Sequence, residues 1–250
     1  MKYEIDPIGY VESDYKITKD IPVLGVTSTI CIKPEFEPAL KHIEKNSHLW
    51  VLSWLHESDR THLQSVPRKI SSMTESFGVF ALRSPNRPNP VALTLVKLLK
   101  IEGNRLTVSD LDVIHGTPIV DIKPYFDKDS VFAPETLFIN SKNDVIRRKR
   151  METLAENYHG EKCDMLQTAV DMAMKVSNHV PNLQARDLRL EITGNYCLLE
   201  SLQGITRAKF VAPSRLTFKY STEKTEVLWF HKDILLAETS YTDVGGVVIT

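Results

Sequence analysis

The chain has 250 residues, of which 42% are hydrophobic and 25% are charged, and its formal net charge is −1 at pH 7. This balance is ordinary for a soluble globular protein of one or two domains, and either half is long enough to bury its own core. The chain has no polycationic character, so its net charge does not attract nucleic acid, although a local basic patch could still do so.

Cellular location is constrained by the cysteines and by the apolar segments. The three cysteines, Cys31, Cys163 and Cys197, are too few and too scattered for a disulfide framework. No apolar run is long enough to span a membrane, and the first six residues lack the hydrophobic core of a signal peptide. We therefore expect a cytoplasmic protein with no membrane association.

The first half of the chain is rich in short strand-like segments. Strands are predicted at Ile8–Val11, Val26–Ile32 and His48–His56, where β-branched and aromatic residues are concentrated. Between the last two, Pro34–Asn46 predicts a short helix, because its apolar residues recur at helical spacing and a proline stands near its start. Two further strands are predicted at Val91–Ile101 and Asn104–Val108. Many short strands favour an antiparallel β-barrel.

The first motif, Phe77–Pro90, reads FGVFALRSPNRPNP. Its three prolines fix φ and remove backbone donors, so the strand-like Gly78–Leu82 cannot continue as a helix or a central strand. The resulting shaped loop presents Arg83, Arg87 and Asn89, whose planar donor groups suit a carboxylate, a phosphate or the edge of a purine. The alternative is a rigid turn whose arginines pair with carboxylates of the same chain, and the spacing does not decide between the two.

The second motif, His115–Tyr125, reads HGTPIVDIKPY. Its glycine allows a tight turn, and the proline two residues later stiffens the exit. Strand alternation then places Asp121, Lys123 and Tyr125 on one face. If the two motifs are paired at one mouth of a barrel, they form a polar pocket.

The two motifs and the spacing between them closely resemble the TsaA-like domain of the TrmO family. Typical members read approximately GVFATRSPxRPNPIGLS and later DGTPVLDIKPY. The resemblance includes Ile8–Ser13 and Ser47–His56 and covers residues 1 to about 128. It implies a small β-barrel that binds S-adenosylmethionine, forms homodimers and methylates the exocyclic amine of a threonylcarbamoylated adenosine beside the tRNA anticodon.

The resemblance also assigns roles residue by residue. The positions that match the family's donor-binding motifs are His56, Glu57, Arg83, Leu93, His115, Gly116, Thr117 and Pro118. For His56, the alternative is a histidine at a strand end that faces solvent. His115 stands where the family has aspartate, and it replaces a group that only accepts hydrogen bonds by one that can donate, accept or carry charge. This change bears on the methyl acceptor more than on the donor.

Methyl transfer from a sulfonium is an in-line displacement that needs the donor and the nucleophile held close, aligned and free of water. A neutral amine acceptor also loses a proton, so a base or a relay is useful. Asp121 and Tyr125 are the predicted catalytic residues, because they can position the acceptor. Arg87, Asn89 and Lys123 are predicted to bind the substrate.

The second half has a different pattern. Residues 129–140 are a predicted linker between a domain of residues 1–128 and an α+β domain of residues 141–250. Helices are predicted over Glu152–Asn178, with a break near His159–Gly160, and over Tyr196–Ile205. The predicted strands are Leu188–Ile192, Leu216–Tyr220, Glu226–His231 and Val247–Ile249. The basic run Arg147–Arg150 either contacts phosphates or forms a solvated helix face.

A candidate metal site is visible in this half. His159 and Cys163 stand four residues apart, and Cys197 opens a later helix. Imidazole and thiolate are ligands for zinc or iron, and a third ligand from a distant segment is typical of an open site. By spacing alone, a histidine–cysteine pair is more often structural.

The stretches HGEKC and YCLLESLQGIT partly resemble the E subunit of formylmethanofuran dehydrogenase, whose members hold a metal on histidine and cysteine. The resemblance implies that His159, Cys163 and Cys197 are inherited ligands. Arg207–Phe210 stands in place of that family's second cysteine motif, so a degenerate domain that serves for dimerisation is the alternative.

Three functions compete at this point. The first is a methyltransferase acting on a modified tRNA adenosine. The second is a methyltransferase for a small molecule, such as a thiol or a metal-bound ligand held by the second domain. The third is a catalytically silent module that binds S-adenosylmethionine. The longer resemblance favours tRNA.

Overall fold

The structure is a computed structural model that describes residues 4–67, 74–132, 134, 141, 143–180, 182–242 and 245–250. The chain splits into two compact units, Met1–Val131 and Phe132–Thr250. Residues 133 and 135–140 of the predicted linker lie outside the described residues. No helix in the described ranges has both the length and the apolar character needed to cross a membrane.

The first unit is a closed antiparallel barrel of six strands in the order β1-β2-β7-β6-β3-β8, which confirms the predicted fold. The short strands β4 and β5 pair separately. The strands are β1 Gly9–Glu12, β2 Val26–Ile32, β3 His48–Trp54, β4 Gln64–Ser65, β5 Phe77–Gly78, β6 Val91–Glu102, β7 Arg105–Leu111 and β8 Pro118–Pro124.

The barrel interior is filled by alternate residues of its strands. In β3, for example, Leu49 and Val51 point inward, between residues that are only partly buried. This period of two is the sequence signal by which a strand lines one side of a sheet. The buried core residues are Val11, Ile30, Ile32, Leu49, Val51, Val96, Leu106, Val108, Leu111, Val113 and Ile119.

The predicted helix at Pro34–Asn46 is wrong in detail. The segment forms two 3-10 helices instead, Pro34–Leu40 and Ile43–Lys45. Pro38 lies inside the first of them and has no backbone N–H, so it removes one of the hydrogen bonds that an α-helix would need.

The predicted strand-like segment Gly78–Leu82 is also corrected. After β5 the chain turns into a 3-10 helix, Val79–Ala81. The guanidinium of Arg87 donates hydrogen bonds to the carbonyls of Val79 and Leu82, the latter at 2.9 Å. These carbonyls therefore face the loop and not a neighbouring strand.

Strand direction decides which loops meet. Because the six strands alternate in direction, β1, β3 and β7 end where β2, β6 and β8 begin. We call this end of the barrel the mouth, and the described residues of its loops are 13–25, 55–67, 74–90 and 112–117. The opposite end carries residues 33–47, residues 103–104 and the chain after β8.

The second unit combines a five-stranded sheet, in the order β10-β9-β11-β12-β13, with three helices. β9 and β10 are parallel, and the other neighbours are antiparallel. This confirms the predicted α+β class. The elements are α1 Asp144–His159, α2 Asp164–Val176, β9 Leu188–Gly194, α3 Tyr196–Thr206, β10 Leu216–Tyr220, β11 Thr225–His231, β12 Ile234–Thr242 and β13 Gly246–Ile249.

The helical break was predicted at the right place. Gly160 caps α1 with φ of 93°, in the left-handed region that glycine adopts at little cost, and the Cys163 side chain caps α2. Close packing of α3 on α1 requires a second glycine, Gly204, where an added Cβ would lie 2.5 Å from the carbonyl oxygen of Leu154. These contacts bring the end of α1 and the starts of α2 and α3 together.

Candidate functional site

The loops at the mouth are tied to one another by hydrogen bonds. The amide of Leu55 donates to the carbonyl of Pro90 at 2.8 Å, and Nε of Arg60 donates to the carbonyl of Pro88 at 2.9 Å. The loop after β3 is thereby fixed to the proline-rich loop. A shaped loop held in this way can present side chains at low entropic cost.

The other two mouth loops are fixed in a similar way. The amide of His115 donates to the carbonyl of Tyr15 at 2.7 Å. The hydroxyl of Thr18 donates to Oε2 of Glu57 at 3.2 Å, which links the first mouth loop to the loop after β3. The structure therefore brings the predicted donor residues to one end of the barrel, and these are His56, Glu57, Arg83, Leu93, His115, Gly116, Thr117 and Pro118.

Arg83 lies at this mouth with its guanidinium exposed. Nη1 donates a long hydrogen bond of 3.5 Å to the carbonyl of Leu93, a residue that is 46% exposed near the start of β6. Asn89, from the same motif, is also exposed. The guanidinium keeps further donors free for a carboxylate or a phosphate.

Arg87, which is predicted to bind the substrate, makes its observed contacts within its own loop. Besides its two bonds to the carbonyls of its own loop, it packs at 6.0 Å from the ring centroid of Phe80, and it is half-buried. These contacts fit the alternative of a rigid turn held by its own arginines, except that Arg87 binds backbone carbonyls and not carboxylates. Arg83 alone of the two motif arginines presents an exposed guanidinium at the mouth.

The second motif opens at the mouth as a tight turn. Gly116 has φ of 77°, a left-handed conformation that glycine favours. Nδ1 of His115 accepts a hydrogen bond of 3.4 Å from the amide of Ser13, so the neutral imidazole carries its proton on Nε2. Oγ1 of Thr117 is buried and has no partner among the described residues. The turn thus offers one donor and one uncommitted hydroxyl.

The end of the second motif lies away from the mouth. β8 has seven residues, so Tyr125 lies about 23 Å along the strand from the turn at a rise of about 3.3 Å per residue. Its amide donates to the carbonyl of His48, and its ring lies 6.1 Å from that of Trp50. Within one copy, Tyr125 belongs to the opposite end of the barrel. Tyr125 therefore lies apart from the residues of the two motifs that meet at the mouth.

Asp121 and Lys123 lie along the same strand. Nζ of Lys123 is 2.6 Å from Oδ2 of Asp121, and both side chains are substantially exposed. The pair is accessible from outside the barrel, and it stands between the mouth and the opposite end.

A further ion pair on the outside of the barrel was not predicted. Nη2 of Arg105 is 2.5 Å from Oε2 of Glu12, and Nη1 of Arg105 is 3.1 Å from Sγ of Cys31. Hydrogen bonds from Arg105 and then from Cys31 lower the pKa of Glu12 to about 2. Burial, followed by the contact with Glu12, raises the pKa of Cys31 to about 11. Three separate strands supply these groups, so sequence spacing gives no signal for the cluster.

The basic run in α1 is largely engaged within the second unit. Arg147 donates to Oδ1 of Asp144 at 2.7 Å, and Nη2 of Arg148 lies 2.7 Å from Oδ1 of Asp171. Burial, with a smaller contribution from a neighbouring arginine, lowers the pKa of Arg150. The run therefore fits a helix face within the protein better than a free phosphate-binding patch.

The three predicted metal ligands lie together. His159 ends α1, Cys163 caps α2 and Cys197 is the second residue of α3, and one ligand atom of each falls within 4.8 Å of the others. Nε2 of His159 is 3.5 Å from Sγ of Cys163. Donor atoms on a tetrahedral zinc ion are about 3.5–3.8 Å apart, given bond lengths of about 2.0–2.3 Å. The donor set and its spacing fit such an ion.

The surroundings of this cluster also suit a metal. Nδ1 of His159 is 2.7 Å from Oε2 of Glu200, a contact that orients the ring and leaves Nε2 toward the cysteines. Burial raises the pKa of the Cys197 thiol, and Cys163 adds to the effect. A bound metal would therefore displace the proton of Cys197, and the amino end of α3 favours the thiolate formed. Glu200 was not predicted, although it stands three residues after Cys197.

Comparison with known proteins gives a family for the first unit. Residues 10–130 match the tRNA-methyltransferase O N-terminal domain. A probable S-adenosyl-L-methionine-binding protein of Methanothermobacter thermautotrophicus is 43% identical over 131 residues, which cover 51% of this chain and 93% of the relative. The tRNA (adenine(37)-N6)-methyltransferase of Rattus norvegicus is 36% identical over 152 residues, which cover 57% of this chain and 35% of that enzyme.

A third relative spans more of the chain. A probable S-adenosyl-L-methionine-binding protein of Archaeoglobus fulgidus is 35% identical over 217 residues, which cover 82% of this chain and 58% of the relative. A match of that length extends beyond Val131 into the second unit. The chain thus spans a little over half of this relative.

The closed six-stranded antiparallel barrel with these motifs at its mouth defines the class of the first unit, a TrmO-like barrel domain. The chain belongs to the TrmO N-terminal domain family. This membership confirms the predicted family of the first half. The resemblance of the second half to formylmethanofuran dehydrogenase remains a prediction.

Proposed function

We propose that the chain transfers a methyl group from S-adenosylmethionine to the exocyclic amine of a modified adenosine near the tRNA anticodon. The main support is that hydrogen bonds fix the mouth loops, which hold the family's donor motifs, to one another. These loops present the exposed guanidinium of Arg83. The relatives support both halves of the proposal, since two are named as probable S-adenosyl-L-methionine-binding proteins and one as a tRNA (adenine(37)-N6)-methyltransferase.

The mouth residues have distinct proposed roles toward the donor. Arg83 pairs with the donor's carboxylate, and Nε2 of His115 donates to an acceptor atom of the bound molecules. The unpartnered hydroxyl of Thr117 gains a hydrogen bond when the donor binds. His56, Glu57 and Leu93 complete the donor site, and Gly116 and Pro118 shape the turn against it.

The acceptor is proposed to meet residues of the second motif, with Asn89 and Lys123 contacting the substrate. As the sulfonium methyl moves to the amine nitrogen, the amine loses a proton, and Asp121 or Tyr125 positions the acceptor for this step. Since Tyr125 is at the far end of its own barrel, we propose a homodimer in which it reaches the mouth of a second copy.

Donor binding is tested by calorimetric titration with S-adenosylmethionine. We expect Arg83→Ala to weaken binding about 10- to 100-fold, because a charge-assisted pair contributes about 1.5–3 kcal/mol. Lys100→Ala is the matched control, since Lys100 is exposed and pairs with Glu102 on the distant end of β6. Equal affinities of Arg83→Ala and the wild type would remove the proposed donor site.

The acceptor is tested with S-adenosylmethionine labelled in its methyl group. Label transferred to tRNA that carries the modified adenosine, and not to unmodified tRNA, supports the proposal. Transfer only to a small thiol would favour the small-molecule alternative. Donor binding with no transfer to any acceptor would favour the silent module.

The homodimer is tested by mixing Arg83→Ala with Tyr125→Phe. If each site takes Arg83 from one copy and Tyr125 from the other, random mixing of equal amounts restores about a quarter of wild-type activity, since half of the dimers then hold one intact site of two. No recovery after subunit exchange would show that the two residues do not meet across copies.

We also propose that His159, Cys163 and Cys197 hold zinc or iron in the second unit. The observation that carries this is the 4.8 Å clustering of three ligand atoms around a histidine oriented by Glu200. Such an ion would act as a Lewis acid toward an anionic ligand. We expect about one metal per chain, lost in Cys163→Ser and Cys197→Ser and retained in Cys31→Ser, by elemental analysis of protein prepared without chelator.

A further inference from the structure

The metal cluster supplies three donor atoms, whereas zinc and related ions take four. Glu200 is already engaged with Nδ1 of His159, so it orients the imidazole and is not aimed at the ion. Within the described part of the chain, no fourth histidine, cysteine, aspartate or glutamate joins His159, Cys163 and Cys197. One coordination position is therefore left for another group.

Glu161 stands beside this position. It lies in the turn between α1 and α2, and its Oε1 is 4.0 Å from Nε2 of His159. An oxygen and a nitrogen bound to one tetrahedral zinc ion are about 3.4 Å apart, so rotation of the exposed Glu161 side chain can carry its carboxylate to the ion. Glu161 does not belong to the group of ligand atoms that lie within 4.8 Å of one another, so its side chain must move to coordinate the ion.

The two sides of the cluster differ in exposure. The side chain of His159 is 6% exposed, and that of Glu161 is 74% exposed. Glu161 must give up rotamer freedom to bind the metal, and it faces water, so its coordination is weak compared with that of the three held ligands. The fourth position consequently opens to solvent, as in sites that exchange ligands and unlike closed structural sites.

The donor set favours a particular class of incoming ligand. Two thiolates and one imidazole form a soft site, and soft sites prefer sulfur to oxygen. We propose that Glu161 is a displaceable fourth ligand and that a small thiolate replaces it on the metal. In this exchange the thiol releases its proton to solvent, the sulfur–metal bond forms, the Glu161 oxygen–metal bond breaks, and no electrons are transferred. The inference rests on the proposed metal site.

Cobalt(II) substitution tests the exchange without measuring activity, because the visible absorption of cobalt reports the number and type of its ligands. Wild type, Glu161→Gln and the control Glu223→Gln are loaded with cobalt under anaerobic conditions and titrated with 2-mercaptoethanol. We expect Glu161→Gln alone to shift the cobalt bands before thiol is added. The thiol then adds sulfur-to-cobalt charge-transfer absorption in all three proteins, at about 10-fold lower concentration in Glu161→Gln, where no carboxylate competes.

Each of the following outcomes would overturn a particular part of the proposal. Failure of wild type to bind cobalt would overturn both the metal site and the displaceable ligand. Cobalt binding with identical spectra of wild type and Glu161→Gln would leave the metal site standing and overturn the role of Glu161. A shifted spectrum in Glu161→Gln with no response to 2-mercaptoethanol in any of the three proteins would overturn the thiolate ligand.

Discussion

The two units build their candidate sites in opposite ways. In the first, functional side chains stand on loops at the mouth of a barrel, and hydrogen bonds such as that from Leu55 to Pro90 fix those loops. In the second, His159, Cys163 and Cys197 stand at helix ends, and packing of the helices brings their donor atoms within 4.8 Å. The first arrangement suits a large ligand that touches many loops, and the second suits a single ion.

The two sites should also be sensitive to different kinds of substitution. Side chains on the mouth loops can be substituted without disturbing the barrel core. Arg83, for example, is exposed and packs little surface against the core. The cluster in the second unit depends on helix packing, because α1, α2 and α3 hold its three candidate ligands in place. We therefore expect packing changes to affect the metal cluster and polar changes to affect the mouth.

The largest effect is expected for Gly204→Ala. The added methyl group would meet the carbonyl oxygen of Leu154 at 2.5 Å and Cβ of Tyr158 at 2.8 Å, which pushes α3 away from α1. Overpacking of this kind costs about 1–3 kcal/mol and should also weaken cobalt binding through Cys197. Urea unfolding and cobalt titration measure the two effects. Gly78→Ala is the control, since its Cβ would have no neighbour within 4 Å.

An intermediate effect is expected for Thr117→Val at the mouth. Removing a buried hydroxyl that has no partner among the described residues should leave the free energy of unfolding unchanged or slightly higher. If the hydroxyl contacts the donor, affinity for S-adenosylmethionine falls about 10-fold, which calorimetry measures. Ser53→Ala removes another buried, unpartnered hydroxyl from β3 and should leave donor affinity unchanged. Equal donor affinity in Thr117→Val and the wild type would exclude the contact.

The smallest effect is expected for Glu12→Gln on the outside of the barrel. The pKa of Glu12 is lowered from its ordinary value of 4.5 to about 2, so its contribution to stability is present above pH 4.5 and is lost as the pH falls toward 2. The variant should show a flatter loss of stability over this range. The difference is small because the two side chains are 45% and 50% exposed, and urea midpoints between pH 2 and 6 measure it. Parallel pH curves would contradict the assignment.

Much of the fold follows from local patterns in the sequence. Strand β10 was predicted with its observed bounds, because alternating residues of Leu216–Tyr220 face the core. The break after α1 follows from Gly160. Strand β12 was missed, since it opens with three consecutive apolar residues, Ile234, Leu235 and Leu236, which are all exposed and hide the alternation.

The candidate sites were only partly predictable, and the metal ligands were the clearer case. The resemblance of the second half, together with the imidazole and thiol groups, marked His159, Cys163 and Cys197 as candidate ligands, whereas Glu161 and Glu200 resemble any surface glutamate until the helix ends meet. A contact between residues far apart in the chain cannot be predicted from the spacing of neighbouring residues.

The order of residues was enough to predict the barrel, the α+β class of the second half, the family of the first unit and the chemical character of its motifs. These properties depend on side-chain periodicity, turn residues and functional groups, which the order of residues records directly. The folded structure was needed to show that Arg87 holds its own loop while Arg83 is exposed, and that Tyr125 lies at the far end of the barrel. Those facts depend on strand length, register and hydrogen bonds between distant segments, which exist only after the chain has folded.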